Sequence, residues 1–221
     1  EQHVDDLESI DKAGVLVSNL ARLARAMLDR TKRAEQDMRD SEREVRVLRQ
    51  HLVRARREAN IDHLTGLPNR RAFDALLGQQ RQEAREECDA LSVAICDIDE
   101  FKKINDAHGH DSGDRVIKVV AETLSRITND RCHVARHGGE EFVMLFRGYS
   151  PPQAAERLDD ARIQMAQRML VNRRTDKPFG QVTFSGGVAD IFGYPTERDA
   201  LRAADEALYR AKKNGRNRIE I

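Results

Sequence analysis

Neither sign of charge prevails in this chain: 38 lysines and arginines stand against 38 aspartates and glutamates among 221 residues. With no global field to draw it to nucleic acid or to an anionic membrane, any phosphate chemistry has to come from a local site. No apolar run approaches the ~20 residues that span a bilayer, and no signal peptide opens the sequence, so no membrane segment is expected. Cysteine is scarce. Cys88, Cys96 and Cys132 lie far apart and form no C-x-x-C pair, which suits a reducing, cytoplasmic setting better than a disulfide framework. A chain that opens at Glu1 without a methionine reads as a fragment whose upstream part is missing. Its length allows one domain of about 150 residues plus an accessory segment.

Between residues 10 and 59 there is no proline and only one glycine, Gly14, while apolar residues recur with alternating spacings of four and three. The a positions of this heptad are Ile10, Val17, Ala24, Thr31, Met38, Val45, Leu52 and Ala59; the d positions are Ala13, Leu20, Met27, Ala34, Ser41, Leu48 and Ala55. Only Thr31 and Ser41 interrupt the apolar series, and Arg, Glu, Asp and Gln crowd the other faces, as a two-stranded coiled coil requires. A rise of 1.5 Å per residue makes this roughly 75 Å of helix. The alternative is a lone amphipathic helix packed on its own domain, but such a face uses a wider apolar stripe than this seam offers. The many alanines point to a weak, adjustable pairing.

Gly66, Pro68 and Asn69 end the helical pattern and strand-like runs begin to alternate with helical ones. The expected organisation is a coiled-coil dimerisation and signalling helix over residues 1–60 and a globular domain over 61–221. A helix is expected over residues 69–86. It leads to Leu91-Ser92-Val93-Ala94-Ile95-Cys96, an apolar run that reads as a strand buried on both faces. Helices near 101–106 and 113–127 follow, then strands at 132–136 and 141–146 joined through Gly138-Gly139, two residues free to adopt positive φ in a hairpin turn. Pro151-Pro152 precede a helix to about Arg173, and a strand at 182–189, a helix at 197–213 and a short final strand complete the chain. The order β-α-β-β-α-β predicts an α+β, ferredoxin-like fold, an antiparallel sheet with helices on its faces.

Acidic residues gather where strands stop: Asp97 and Asp99 close the buried strand, and Glu140 and Glu141 follow the glycine turn. Beside one another, such carboxylates are hard-oxygen ligands of the kind magnesium accepts. Taken singly, each pair reads better as unrelated surface acids. Their surroundings decide. Asp97-Ile98-Asp99-Glu100-Phe101-Lys102-Lys103-Ile104-Asn105-Asp106, with His108-Gly109-His110 and Gly113-Asp114 after it, closely resembles the GGDEF family of diguanylate cyclases. The family's eponymous motif stands as Gly138-Gly139-Glu140-Glu141-Phe142. Its opening signature is present as Asp62-His63-Leu64-Thr65-Gly66-Leu67-Pro68-Asn69-Arg70-Arg71, and its closing one as Ala207-Leu208-Tyr209-Arg210-Ala211-Lys212-Lys213-Asn214-Gly215-Arg216-Asn217. The resemblance covers the globular domain and leaves the coiled coil outside it.

What the resemblance implies is a magnesium-dependent cyclase that condenses two GTP molecules into cyclic di-GMP, with two Mg2+ ions per active site and Mn2+ able to replace them. Asp97, Glu140, the backbone carbonyl of Ile98 and Glu141 would hold the metal. Glu140 is also the family's proton acceptor, although a carboxylate bound to a divalent cation is a poor base, so its metal role ranks first. Lys102 would neutralise charge developing on the phosphoryl oxygens; Lys103 reads as plain surface. Gly138 and Gly139 would let backbone N–H groups approach the phosphates. Lys212 and Arg216, read as one helical turn apart, would grip the terminal phosphates; their other reading is a cationic helix end that complements the macrodipole. Asn105 and Asp114 would select guanine, since an aspartate accepts from a pair of donors that adenine lacks. His110 would support the nucleotide loop, and a His108/His110 metal pair is not expected. Where many members carry R-x-x-D, this chain has Asn129-Asp130-Arg131-Cys132, so product feedback at that position is expected to be weak or lost. Two GTP-loaded domains must face each other, so the expected partner is a second copy held through a parallel coiled coil, under the control of an upstream sensor and with no nucleic-acid partner.

Overall fold

The computed structural model describes residues 2–172 and 177–221, with no side-chain description for residues 2–17, 19, 53–57, 172 and 177. It divides into two compact units, residues 1–58 and 59–221. The first is carried by α1 (Gln2–Asn60), one uninterrupted helix. Of the heptad seam, Leu20, Met27, Met38, Leu48 and Leu52 are each more than half exposed, so a continuous apolar stripe lies bare on the single chain. Ile10, Ala13, Val17 and Ala55 lie outside the described side chains. Thr31 turns its hydroxyl onto the Met27 carbonyl at 3.0 Å, which satisfies it within its own helix.

The second unit contains α2 (Arg70–Glu87), β1 (Leu91–Ile98), α3 (Phe101–His108), α4 (His110–Ser125), β2 (Cys132–Gly138), β3 (Glu141–Arg147), α5 (Pro151–Ala166), β4 (Met169–Asn172), β5 (Lys177–Gln181), β6 (Phe184–Asp190), α6 (Glu197–Lys213) and β7 (Ile219–Glu220). Five strands form one sheet in the order β2-β3-β1-β6-β7. β1 is antiparallel to both β3 and β6, the arrangement of a ferredoxin-like core. β7 corrects the expectation of an antiparallel sheet, because it pairs parallel to β6.

Every residue of β1 is buried, as its unbroken apolar run predicted. Alternate residues serve the two faces: Ala94, Cys96 and Ile98 join the core under α4 and α5, while Leu91, Val93 and Ile95 join the one under α2 and α6. Capping residues set the helix starts. Asn69 accepts from the Ala72 N–H, Ser150 and Gln153 form a reciprocal capping box, and Thr196 accepts from the Asp199 N–H, each satisfying donors that a helix start leaves unpaired.

The stretch after α5 departs from expectation. The helix expected to reach about Arg173, which lies outside the described residues, ends at Ala166, and β4 and β5 form a separate two-stranded ribbon. Val171 and Asn172 are weak helix formers and Pro178 and Gly180 oppose a helix, while Leu170 and Phe179 are packed against the core, so a ribbon forms instead.

Candidate functional site

The site is built where β1 and α6 end and β3 begins. Asp97 stands opposite Glu141 of β3 on one side and Ser185 of β6 on the other. Glu140 is the adjacent residue of the hairpin, and its carbonyl accepts from the Ile98 N–H at 3.4 Å. Asp97 and Glu141 therefore occupy neighbouring strands at one sheet end, with Glu140 beside them. Asp97 is buried, and Lys212 of α6 donates to its Oδ1 at 2.8 Å. Burial raises the Asp97 pKa, the nearby Glu140 and Asp99 charges add to the rise, and Lys212 opposes it. This is a carboxylate desolvated beside other acids, with the Lys212 ammonium as the cation against it. Among the described residues no three His, Cys, Asp or Glu side chains already stand as a metal cage, but the donor set, hard carboxylate oxygens gathered at one sheet end, fits a divalent cation.

β1 passes into α3 through Asp99 and Glu100, the latter in the left-handed region at φ 54°. Phe101 is buried and anchors the first turn of α3, while Lys102 is exposed there. Lys103 is an exposed partner of Glu100 at 2.7 Å. A cavity of about 610 Å³ opens beside this turn, with Glu100, Lys103, Ile104, His108 and Arg216 in its wall. His108 packs its ring on Phe179 at 4.7 Å, and His110 opens α4 as an exposed residue.

Asn105 on α3 lies against Gly113 of α4, the residue before Asp114. A Cβ at that glycine would lie 1.9 Å from Asn105 Oδ1, so the close approach of the two helices depends on the missing side chain. Asn105 Oδ1 is buried without a hydrogen-bond partner, while Asp114 is exposed.

The glycine hairpin differs in detail from expectation. Gly138 pairs with Glu141 after a register shift at His137, and of the two glycines only Gly139 takes positive φ, at 51°. Positive φ at the first central position belongs to the mirror-image turns that match strand twist. Arg136 clamps this turn. Its Nε and Nη2 donate to the Gly139 carbonyl at 3.0 and 2.7 Å, and its Nη1 donates to both oxygens of Asp62 at 3.1 Å.

The expectation that Lys212 and Arg216 share a helix face is corrected. α6 ends at Lys213, and Arg216 lies beyond it at φ 62°, because Gly215 and the left-handed residues after it break the helical path. The two cations reach different places: Lys212 meets Asp97, while Arg216 lies beside Glu100.

The family description "Diguanylate cyclase, GGDEF domain" matches residues 59–218. The chain belongs to the GGDEF diguanylate cyclase family. The diguanylate cyclase DgcP of Pseudomonas aeruginosa is 35% identical over 196 residues, which make up 89% of this chain and 28% of that protein. The diguanylate cyclase VdcA of Vibrio cholerae is 32% identical over 176 residues, 80% of this chain and 51% of that one. The chain thus spans from about a quarter to a half of the length of these curated relatives. Among solved structures, the coiled coil and GGDEF domain of DgcB from Caulobacter crescentus, in complex with c-di-GMP, superposes with a TM-score of 0.79 at 39% identity, covering 84% of this chain and 97% of that one. Members of the family generally depend on divalent metal. Among the described residues no helix is long and apolar enough to cross a membrane.

Several residues of the GGDEF domain that hold the site together were not singled out from sequence. Arg136 and Asp62 carry the hairpin clamp. Asp62 also accepts from the amide and hydroxyl of Thr65 at 2.9 and 2.7 Å, and an Asp followed three residues on by Thr is a readable turn signal. Gly187 lets α6 lie directly on β6, since a Cβ there would meet the Ala204 carbonyl at 2.1 Å and the Leu208 nitrogen at 2.2 Å. A glycine inside a strand is the available sign of such an approach.

Proposed function

We propose that this chain is a diguanylate cyclase that condenses two GTP into cyclic di-GMP and two pyrophosphates as a homodimer. The observation that carries the reading is the meeting of Asp97, Glu140 and Glu141 at one sheet end, beside the start of α3 and the Lys212 ammonium. In each half-reaction the 3′-hydroxyl oxygen of one GTP attacks the α-phosphorus of the other. A P–O bond forms, the bond to pyrophosphate breaks, and the hydroxyl proton leaves to a base. Repetition in the opposite sense closes the ring.

Asp97, Glu140, Glu141 and the Ile98 carbonyl are the groups that would hold magnesium, two ions per active site, with manganese as a substitute; bound there, the metal supplies positive charge for the triphosphate and acidifies the attacking hydroxyl. The remaining work falls to the protein. Lys102 offsets charge growing on the phosphoryl oxygens. Gly138 and Gly139 admit phosphate close to the backbone. Lys212 exchanges Asp97 for the terminal phosphates, which Arg216 also takes. Asn105 and Asp114 read the guanine edge, with His110 supporting the loop between them, and the exposed Asp114 is free to accept from two guanine donors. Residues 1–60 form the dimerising coil and 61–221 the cyclase domain. The narrow bare seam of α1 and its 4-3 spacing support a parallel pairing with a second copy. A sensor upstream would act through the coil near residues 55–62, with the whole enzyme in the cytoplasm where GTP is available.

The test is direct. Purified chain incubated with GTP, ATP and Mg2+ is expected to yield cyclic di-GMP and pyrophosphate, resolved by chromatography and mass spectrometry. Glu140→Gln or chelation with EDTA should abolish product. Absence of cyclic di-GMP from the dimeric wild type, or full turnover in Glu140→Gln, overturns the proposal.

A further inference from the structure

Asp99 is two residues from Asp97 and also a buried carboxylate, yet both of its oxygens are already engaged. Its Oδ1 accepts from Ser185 Oγ at 2.7 Å, and its Oδ2 accepts from Thr183 Oγ1 at 2.6 Å and from the backbone N–H of Asn217 at 3.0 Å. Its own N–H donates to the Thr183 carbonyl at 3.0 Å. It is 7% exposed, so its charge is met by donors inside the fold and its lone pairs face the loop after α6.

That loop is conformationally demanding. Arg216 and Asn217 stand consecutively in the left-handed region, at φ 62° and 47°, which non-glycine residues adopt only when their surroundings hold them there. Besides the Arg216 N–H, which donates to the Ala211 carbonyl at 2.9 Å, two contacts from other elements do so. Asp99 takes the Asn217 backbone N–H, and Arg162 of α5 donates from Nη1 to Asn217 Oδ1 at 2.8 Å. Arg162 is itself fixed by a two-pronged pair with Asp159, at 2.5 and 3.2 Å. The chain Asp159, Arg162, Asn217, Asp99 thus runs from the middle of α5 to the β1–α3 turn, and Arg216 hangs from the backbone that it immobilises.

We propose that Asp99 and Arg162 are positioning residues for the GTP triphosphate: together they lock residues 216–217 so that the Arg216 guanidinium is held at the terminal phosphates before substrate arrives. The inference rests on the cyclase reading, in which Arg216 binds those phosphates. Asp99 is then the anchor of the phosphate clamp and not a further metal ligand. Arg162 acts from a helix that contributes no group to the reaction. A flexible Arg216 would give up rotational freedom on binding, so pre-setting its backbone tightens the triphosphate and leaves base recognition alone.

The experiment uses the full chain and two fluorescent probes, a β,γ-imido analogue of GTP and GMP, each carrying a methylanthraniloyl group. Arg162→Met should weaken the triphosphate probe about fivefold or more and leave the GMP probe unchanged, and in an Arg216→Ala background it should add nothing, as expected of residues coupled through one contact chain. Asn217→Gly removes the acceptor for Arg162 while tolerating positive φ, and it should reproduce the effect if Arg162→Met fails to fold. Wild-type affinity in both variants, an equal loss for both probes, or an undiminished loss in the Arg216→Ala background overturns the inference. A wild type that binds neither probe overturns the cyclase reading itself.

Discussion

Asp62 shows how a side chain remote from the phosphates shapes the catalytic hairpin. Burial alone would raise its pKa, but the Thr65 hydroxyl and amide and the Arg136 guanidinium outweigh that and hold it below its ordinary value of 3.8. A depressed folded-state pKa contributes stability that is present above the unfolded value and disappears as pH falls through the folded one. Asp62→Asn should therefore lower stability at pH 7 by about 1–3 kcal/mol, typical of a charge-assisted hydrogen-bond pair. The gap from wild type should close below about pH 4 as the wild-type carboxylate protonates. Urea unfolding of both proteins from pH 7 to pH 2.5 reads this out; a gap that persists at the acid end refutes it. A cost in cyclase activity is also expected, because Arg136 ties the same carboxylate to the Gly139 carbonyl.

Among the elements, α6 bears most directly on the site, because its last turn delivers Lys212 to Asp97. Its placement depends on contact between backbones. Ala200, Ala204, Ala207 and Ala211 are buried along one face, and the Gly187 position of β6 leaves room for the helix backbone itself. Gly187→Ala has to drive the helix and sheet apart, since neither neighbouring backbone atom can swing aside. Overpacking of this kind costs about 1–3 kcal/mol, and thermal melts should show it with a parallel fall in GTP affinity. Unchanged melting and affinity would mean that the contact is slack. The segment at residues 129–132 lies at the start of β2, where Asn129 and Cys132 exchange backbone hydrogen bonds and the Cys132 side chain is fully buried. The aspartate of an R-x-x-D motif is thus replaced by a core residue. Cyclic di-GMP added at several times the GTP concentration should barely slow the initial rate, and strong inhibition at low product would reveal another regulatory site.

At the scale of the whole molecule, the proposed dimer would let each chain supply half of a two-nucleotide reaction, and it would cover the apolar positions that α1 leaves exposed among the described residues. Leu48→Asp with Leu52→Asp places four charges in each paired seam and should yield a monomer by sedimentation. Activity at low protein concentration should then fall by about a hundredfold or more, the scale on which tethering raises effective concentration. Full turnover in a demonstrated monomer would contradict the dimeric mechanism. The alanines and the polar Thr31 and Ser41 would keep the proposed pairing modest.

Periodicity and contiguous motifs are one-dimensional, and what depends on them was legible without coordinates: the long helix, the two-sided burial of β1, the bounds of α6, the sheet's strand succession and the family. Residues whose roles arise from contacts distant in sequence were not. Arg136 and Asp62, 74 positions apart, or Arg162 and Asn217, 55 apart, carry no shared local pattern, and in the β4–β5 ribbon Leu170 and Phe179 pack against a core formed by residues distant in sequence. The departure of Arg216 from the face of Lys212 belongs here too, since helical spacing holds only while the helix lasts. Local chemistry named the acids and cations of this site; packing decided which of them meet, because hydrogen bonds and burial are settled in space and not along the chain.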